Sequence, residues 1–209
     1  MRKIIILLLM VVFIFASTPL YAAEKYFLGM SNIALKVDYI YFTEDVFDEI
    51  DLGSGVYVGL EGYYASIYPN LYFGFEVGWA GSENDDKIDT DAFGKVKVDT
   101  DMQYMPIEFN LKYTFDLSST WVLDLGAGIC YSWFDIESNK LYVNEDDFVF
   151  GGQIFADITY KISDQWFIGI NGKYQLTEDL EFDVWVEDIE TSTSADNWRL
   201  GAQVVMMFF

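Results

Sequence analysis

The chain has 209 residues, 34 acidic against 12 basic, a formal net charge of −22, no histidine and a single cysteine. That balance excludes a basic footprint for nucleic acid, whose phosphates the field would repel. It also excludes an intramolecular disulfide at Cys130 and any catalytic pair built on histidine, the side chain whose ordinary pKa suits proton transfer near neutrality.

Met1-Arg2-Lys3 is a short positive stretch, Ile4 to Phe15 is an unbroken apolar run, and Ala22 and Ala23 follow a break at Ala16-Ser17-Thr18-Pro19. This is the pattern of a secretory signal peptide over 1–23. The run is too short for a spanning helix. The expected mature chain, 24–209, is one domain by length.

From residue 31 onward eight segments carry a two-residue period. In the first, Ile33, Leu35, Val37, Tyr39 and Tyr41 oppose Asn32, Lys36 and Asp38. In the second, Val56, Val58, Leu60 and Tyr64 oppose Gly59 and Glu61. The third sets Leu71, Phe73, Phe75, Val77 and Trp79 against Gly74, Glu76 and Gly78, and the fourth sets Ile107, Phe109, Leu111 and Tyr113 against Glu108, Asn110 and Lys112. The fifth places Trp121, Leu123, Leu125, Ile129, Tyr131 and Trp133 opposite Asp124, Gly126, Gly128 and Cys130. The sixth places Phe148, Phe150, Ile154, Ile158 and Tyr160 opposite Gln153, Asp157 and Thr159. The seventh carries Trp166, Ile168, Ile170 and Tyr174 against Gly169, Asn171 and Lys173. The last carries Trp198, Leu200, Ala202, Val204 and Met206 against Arg199, Gly201 and Gln203. None has the three-and-four spacing of a helix.

Connections alternate in length. Short turns are expected near Pro69-Asn70, Asp116 to Thr120 and Ser163-Asp164; long connections are expected over 43–55, 80–101, 134–147 and 176–197. The long ones hold 25 of the 34 acidic residues and four lysines, so the acid is concentrated at one end of the molecule. Aromatic residues bracket the short turns (Tyr64 and Tyr72, Tyr113 and Trp121, Tyr160 and Trp166), and a second set, with Tyr41, Trp79, Trp133, Tyr174 and Trp198, lies at the other end. Two aromatic belts match two membrane interfaces. The opposite face is too poor in charge and too rich in glycine for a soluble exterior. These features predict an all-β protein: an eight-stranded antiparallel up-and-down transmembrane β-barrel, both ends of the mature chain on the short-turn side.

Strand style such as Val56-Tyr57-Val58-Gly59-Leu60-Glu61-Gly62-Tyr63 and Phe73-Gly74-Phe75-Glu76-Val77-Gly78, with the terminal phenylalanine, resembles the small outer-membrane β-barrel superfamily. That group includes the OmpA transmembrane domain and the OmpW, OmpX and opacity-protein types. The resemblance covers the mature chain and implies the bacterial outer membrane as location. Its implied partners are outer-membrane lipid, lipopolysaccharide and the outer-membrane assembly machinery. In that family the terminal phenylalanine shares the lipid face with residues two, four and six before it. Here the lipid face is Phe208, Met206, Val204 and Ala202, so either a bulge breaks the register or Phe208 takes the interface position.

Enzymes among such barrels resemble one another in using a histidine beside serine or aspartate, and no such pair exists here. A pair of carboxylates could act on glycosides, but Glu61, Glu76 and Glu108 read as lumen packing. The inward face is expected to hold a charge network of Lys36, Asp38, Glu61, Glu76, Glu108, Lys112, Asp124, Asp157, Lys173 and Arg199, the four bases serving as counter-ions mainly for Glu61, Glu76, Glu108 and Asp124. Asp85, Asp86, Asp89, Asp91, Asp99 and Asp101 place hard oxygen ligands close together, and Glu145-Asp146-Asp147 and Glu187-Asp188-x-Glu190 repeat the theme. A surface Ca2+ or Mg2+ suits such oxygens; the alternative is a hydrated acidic brush. No other cofactor is indicated. Leu180-x-Phe182-x-Val184-x-Val186 alternates as well, which suggests strand seven running on into a hairpin above the membrane. The leading expectation is a non-enzymatic surface protein displaying acidic loops for envelope integrity, adhesion or contact with an extracellular protein or host ligand. The alternative is a narrow OmpW-like channel for small or hydrophobic solutes.

Overall fold

A computed structural model describes residues 31–44, 47, 53–90, 94–138, 143–184 and 189–208. The expected signal peptide lies outside them, as do Asp91, Val186, Glu187, Asp188 and Phe209. The strands are β1 (Ser31–Phe42), β2 (Ser54–Ala65), β3 (Leu71–Thr90), β4 (Gly94–Asp116), β5 (Trp121–Ser138), β6 (Val143–Lys161), β7 (Trp166–Thr177), β8 (Asp179–Val184), β9 (Ile189–Ser194) and β10 (Asn197–Phe208). Eight of them close a barrel in the order β1-β10-β7-β6-β5-β4-β3-β2, every pair antiparallel, and β8 and β9 form a separate two-stranded sheet. No helix among the described residues is long and apolar enough to cross a membrane.

Register partners followed once around the barrel run from Asn32 through Tyr63, Gly74, Asn110, Gly128, Gln153, Gln175 and Asn197 to Phe42. The sheet therefore closes ten residues further along β1 than it began, and this shear decides which inward residues share a level. Pairing between β3 and β4 is interrupted where Gly78 and Trp79 lie between the pairs Val77–Ile107 and Ala80–Tyr104. Pro106, which has no N–H to give, sits at that gap while keeping its place opposite Ser132 on β5.

The alternation seen in the sequence sorts the side chains inside-out. Ile170, Ile107, Phe75 and Phe109 are 57–60 % exposed, whereas Lys36, Glu76, Glu108 and Arg199 are buried. An apolar outer wall of this kind is stable only against hydrocarbon, and closure leaves no unpaired strand edge there. At the short-turn end Trp121 packs on Tyr160 with ring centroids 5.0 Å apart. At the other end Trp198 packs between Tyr39 and Tyr41.

Short turns have simple chemistry. Pro69 and Asn70 occupy the centre of a turn closed by the Leu71 N–H donating to the Tyr68 carbonyl, with Asn70 at φ 61°. Proline presets the second position, and asparagine tolerates the left-handed third. Leu117-Ser118-x-x-Trp121 and Ile162-Ser163-x-x-Trp166 repeat one motif: each serine hydroxyl accepts from the tryptophan N–H.

Two expectations need correction. The segments 80–101 and 134–147 are largely strand, since β3–β4 pairs out to Thr90–Gly94 and β5–β6 out to Ser138–Val143. The alternation Lys95-Val96-Lys97-Val98-Asp99-Thr100-Asp101-Met102 carries this signal, but their acid content gave them the look of loops. Beyond residue 177 the expected hairpin is present, with Leu180, Phe182 and Val184 on β8 paired to β9, but it is a separate sheet that begins after a break at Glu178 and not an unbroken run of β7. The last strand resolves the register alternatives. Partners run unbroken from Ser31–Phe208 to Phe42–Asn197, without a bulge. Val205 and Met207 face inward, and Phe208 shares the parity of the lipid-facing Val204.

Candidate functional site: the charged lumen

The lumen is layered. Near the short turns Tyr63, Tyr72, Val122, Phe167, Val205 and Met207 form an apolar floor. Near the long hairpins Phe42, Tyr104, Met102, Phe134 and Val149 form an apolar ceiling, joined by Phe47, Leu180 and Ala195 from outside the barrel strands. The closure is fastened by backbone and side-chain bonds. Thr43 N–H donates to the Asp196 carbonyl at 2.9 Å, and Thr177 N–H donates to Asp196 Oδ1 at 2.7 Å.

Between floor and ceiling lie the charges, all ten buried. Their centre is a quartet in which two carboxylates are bridged by two cations. Arg199 Nη1 lies 3.3 Å from Glu76 Oε1, and Nη2 pairs with Glu108 Oε1. Lys173 Nζ lies 2.8 Å from Glu76 Oε2 and pairs with Glu108 Oε2. Lys36 Nζ extends the group, 3.4 Å from Glu76 Oε2 and 2.7 Å from Glu61 Oε2. The second contact is an ion pair off the angle of a hydrogen bond. Lower down, Lys112 Nζ pairs with Asp124 Oδ2 at 3.0 Å, and the Thr114 hydroxyl donates to Asp124 Oδ1 at 2.6 Å.

Neutral groups complete the quartet. The Tyr57 hydroxyl donates to Glu76 Oε1 at 2.7 Å, and Gln153 Nε2 donates to Glu108 Oε2 at 3.2 Å. The Tyr104 hydroxyl donates to Gln175 Oε1 at 2.9 Å beneath the ceiling. Glycines supply the space: Tyr57 lies over Gly59 and Gly78, and Phe155 lies over Gly126. A buried charge is tolerated only when paired and hydrogen-bonded, and all four carboxylate oxygens of the quartet meet that condition, while Arg199 Nε has no hydrogen-bond partner among the described residues.

Of the sequence-predicted network, Lys36, Glu61, Glu76, Glu108, Lys112, Asp124, Lys173 and Arg199 come together in ion pairs. Asp38 instead accepts from the Asn171 amide at 2.9 Å, and Asp157 has no cation within 4.0 Å among the described residues. Tyr57, Gln153 and Gln175 were missed as network members. Their signal was parity alone, since each sits an even number of residues from a charged inward position.

The sequence-predicted metal ligands are placed by backbone register. Asp85 is opposite Asp99, Asp101 is opposite Glu83 and Glu137, Asp86 is opposite Val98, and Asp89 is opposite Lys95; Asp91 is outside the described residues. No group of three or more carboxylate, cysteine or histidine ligands is assembled among the described residues. Cys130 is buried at the quartet's upper edge, beside Gln175 Nε2 at 3.0 Å.

An eight-stranded antiparallel barrel with an apolar outer wall, two aromatic girdles and a polar filled interior defines a transmembrane barrel of the bacterial outer-membrane class. The chain belongs to the outer membrane protein beta-barrel domain family, which it matches over residues 6–205. Its location is the bacterial outer membrane. Solved structures agree in fold. Neisserial surface protein A has a TM-score of 0.60 at 13% identity, over 86% of this chain and 98% of that one. Outer membrane protein OprG of Pseudomonas aeruginosa has 0.55 at 14% identity, over 88% and 99%. Outer membrane protein AlkL has 0.51 at 16% identity, over 91% and 97%. No curated protein matches the chain in sequence.

Proposed function

We propose that this protein is a non-enzymatic display barrel: a closed scaffold in the outer membrane that carries acidic hairpins above the surface for envelope integrity, adhesion or contact with an extracellular protein or host ligand. The observation that carries the reading is the lumen itself. The Arg199–Glu76–Lys173–Glu108 quartet lies between an apolar floor and an apolar ceiling. An eight-stranded barrel has an interior just filled by side chains, and here that filling includes four ion pairs whose separation would strand charges in a medium of low dielectric constant.

The display half of the reading rests on β3 to β6. These strands have 18 to 23 residues, against 12 for β1, β2, β7 and β10, so one wall of the barrel rises well above the girdle. A transmembrane strand needs about 9–11 residues, and the excess is surface. Its implied partners are lipopolysaccharide beside the wall, the assembly machinery during insertion, and a macromolecule above. Like charges at directly opposed positions cost stability. Ca2+ or Mg2+ from the envelope would offset the Asp85–Asp99, Glu83–Asp101 and Asp101–Glu137 juxtapositions.

Single-channel recording of the purified protein in a planar bilayer tests the reading. A closed baseline, with rare brief openings at most, is the expected result. A large steady conductance would overturn the closed scaffold and favour the narrow-channel alternative.

A further inference from the structure

Below the quartet the lumen holds a second polar level that the ion pairs leave unsatisfied. The inward face carries six carboxylates and four cations. Arg199, Lys173 and Lys36 offset Glu76, Glu108 and Glu61, and Lys112 offsets Asp124. Asp38 and Asp157 are left over. Asp38 is held by the Asn171 amide. Asp157 is 1% exposed, and neither of its carboxylate oxygens has a hydrogen-bond partner among the described residues.

Asp157 is not alone in this. Thr159 Oγ1, Gln203 Oε1, Tyr63 Oη, Asn32 Oδ1 and Glu61 Oε1 are also buried without a hydrogen-bond partner among the described residues. Their parent side chains are at least nine-tenths buried and face inward. They fall in two register groups, which the shear of the closed sheet brings to neighbouring heights below the quartet. Thr159, Gly169 and Gln203 are successive partners across β6, β7 and β10, so the wall between the two polar side chains carries only a glycine. Asp157 is the next inward position on β6. Asn32 and Tyr63 are partners on β1 and β2, with Glu61 the next inward position. The two groups meet through Lys112: its Nζ pairs with Asp124, the register partner of Asp157, and lies 4.0 Å from the centroid of the Tyr63 ring.

We propose that this level is a binding site for a monovalent metal cation of the sodium and potassium class, with Asp157 as its charged ligand and water completing its shell. The unsatisfied atoms are almost all oxygens, and several are acceptors only, which suits a hard cation. The charge matches as well. With all three carboxylates ionised, Lys36, Lys112, Glu61, Asp124 and Asp157 sum to one negative charge, which a single monovalent ion neutralises. A divalent ion would leave an excess of positive charge. Water alone would supply donors, as buried waters do, but would leave the charge. The site is independent of whether the lumen conducts.

The test is urea unfolding of the protein refolded in detergent micelles, at one ionic strength, in sodium, potassium or tetramethylammonium chloride. Screening of the acidic hairpins is then the same in each salt, and Asp157→Asn separates a lumen site from ion-specific binding at the surface. With salt about ten times the dissociation constant, the unfolding equilibrium constant should be roughly tenfold smaller in sodium or potassium than in tetramethylammonium. Asp157→Asn should abolish the difference, and Tyr63→Phe and Thr159→Val, which keep the charge, should reduce it. Equal stability of the unaltered protein in all three salts overturns the proposal. A difference that persists in Asp157→Asn assigns the effect to the surface and overturns it too. If Asp157→Asn does not refold, Tyr63→Phe and Thr159→Val decide: an undiminished salt difference in both overturns the site. Recovery of full stability in tetramethylammonium on mild acidification would show that a proton fills the role and would overturn the metal site.

Discussion

The guanidinium of Arg199 stacks on the ring of Tyr57, 4.2 Å from its centroid, while the Tyr57 hydroxyl donates to Glu76, one of the two carboxylates that Arg199 also binds. The two residues lie on β10 and β2 with β1 between them, so this contact reaches across the closing seam of the barrel. It joins cation–π, hydrogen-bond and ion-pair interactions at one buried point.

Arg199→Met is therefore expected to destabilise the barrel by about 3–5 kcal/mol, because it leaves Glu76 and Glu108 short of a counter-ion. The double substitution Arg199→Met with Glu108→Gln should recover part of the loss by removing the stranded charge. Urea unfolding in lipid vesicles measures both. A single variant as stable as the unaltered protein would contradict the quartet.

Glycine positions offer a contrast. A Cβ at Gly78 would overlap the Tyr57 hydroxyl, and one at Gly126 would overlap the Phe155 ring, whereas nothing lies within 4 Å of a Cβ at Gly62 on the outer wall. Gly78→Ala and Gly126→Ala should each cost about 1–3 kcal/mol through overpacking, and Gly62→Ala should be neutral. Refolding yield and unfolding midpoint of the three variants, compared side by side, check the ordering.

The lipid-facing assignment predicts a depth profile. Arginine at Phe75 or Ile170, mid-wall and strongly exposed, should destabilise by about 2–4 kcal/mol in a bilayer, and arginine at Tyr64 or Trp166 near the girdle by only about 0–1 kcal/mol. Unchanged refolding into lipid for the two mid-wall variants would invert the wall.

Topology is open to labelling on intact cells with a membrane-impermeant maleimide. Asp101→Cys lies beyond the long-hairpin girdle and should react, while Asp164→Cys in a short turn, though its side chain is 93% exposed, should not until the outer membrane is breached. Native Cys130 is buried and should stay silent in both. The reverse pattern would place the short turns outside.

Much of this architecture was legible locally. Which face of each strand meets lipid follows from two-residue alternation, a property of neighbouring residues, and so Phe75, Ile170, Glu76 and Arg199 could all be oriented from sequence. Short turns were legible near Pro69-Asn70, Asp116 to Thr120 and Ser163-Asp164 for the same reason. The prolongation of β3 to β6 was written in alternations such as Lys95 to Met102, yet the acid content of those segments concealed it. Pairing partners were a different matter. That Arg199 meets Tyr57, Glu76 and Glu108, that Asp38 falls to Asn171, and that Asp157 touches no cationic side chain among the described residues all depend on levels in the lumen. Those levels are set by the shear at which β1 and β10 close. Shear is a sum of registers over eight strand pairs, and no stretch of the chain encodes it. Alternation along each strand is enough to specify a lipid-facing barrel with charges inside; which charges meet follows from closure of the sheet, because their heights along the barrel axis exist only once it has closed.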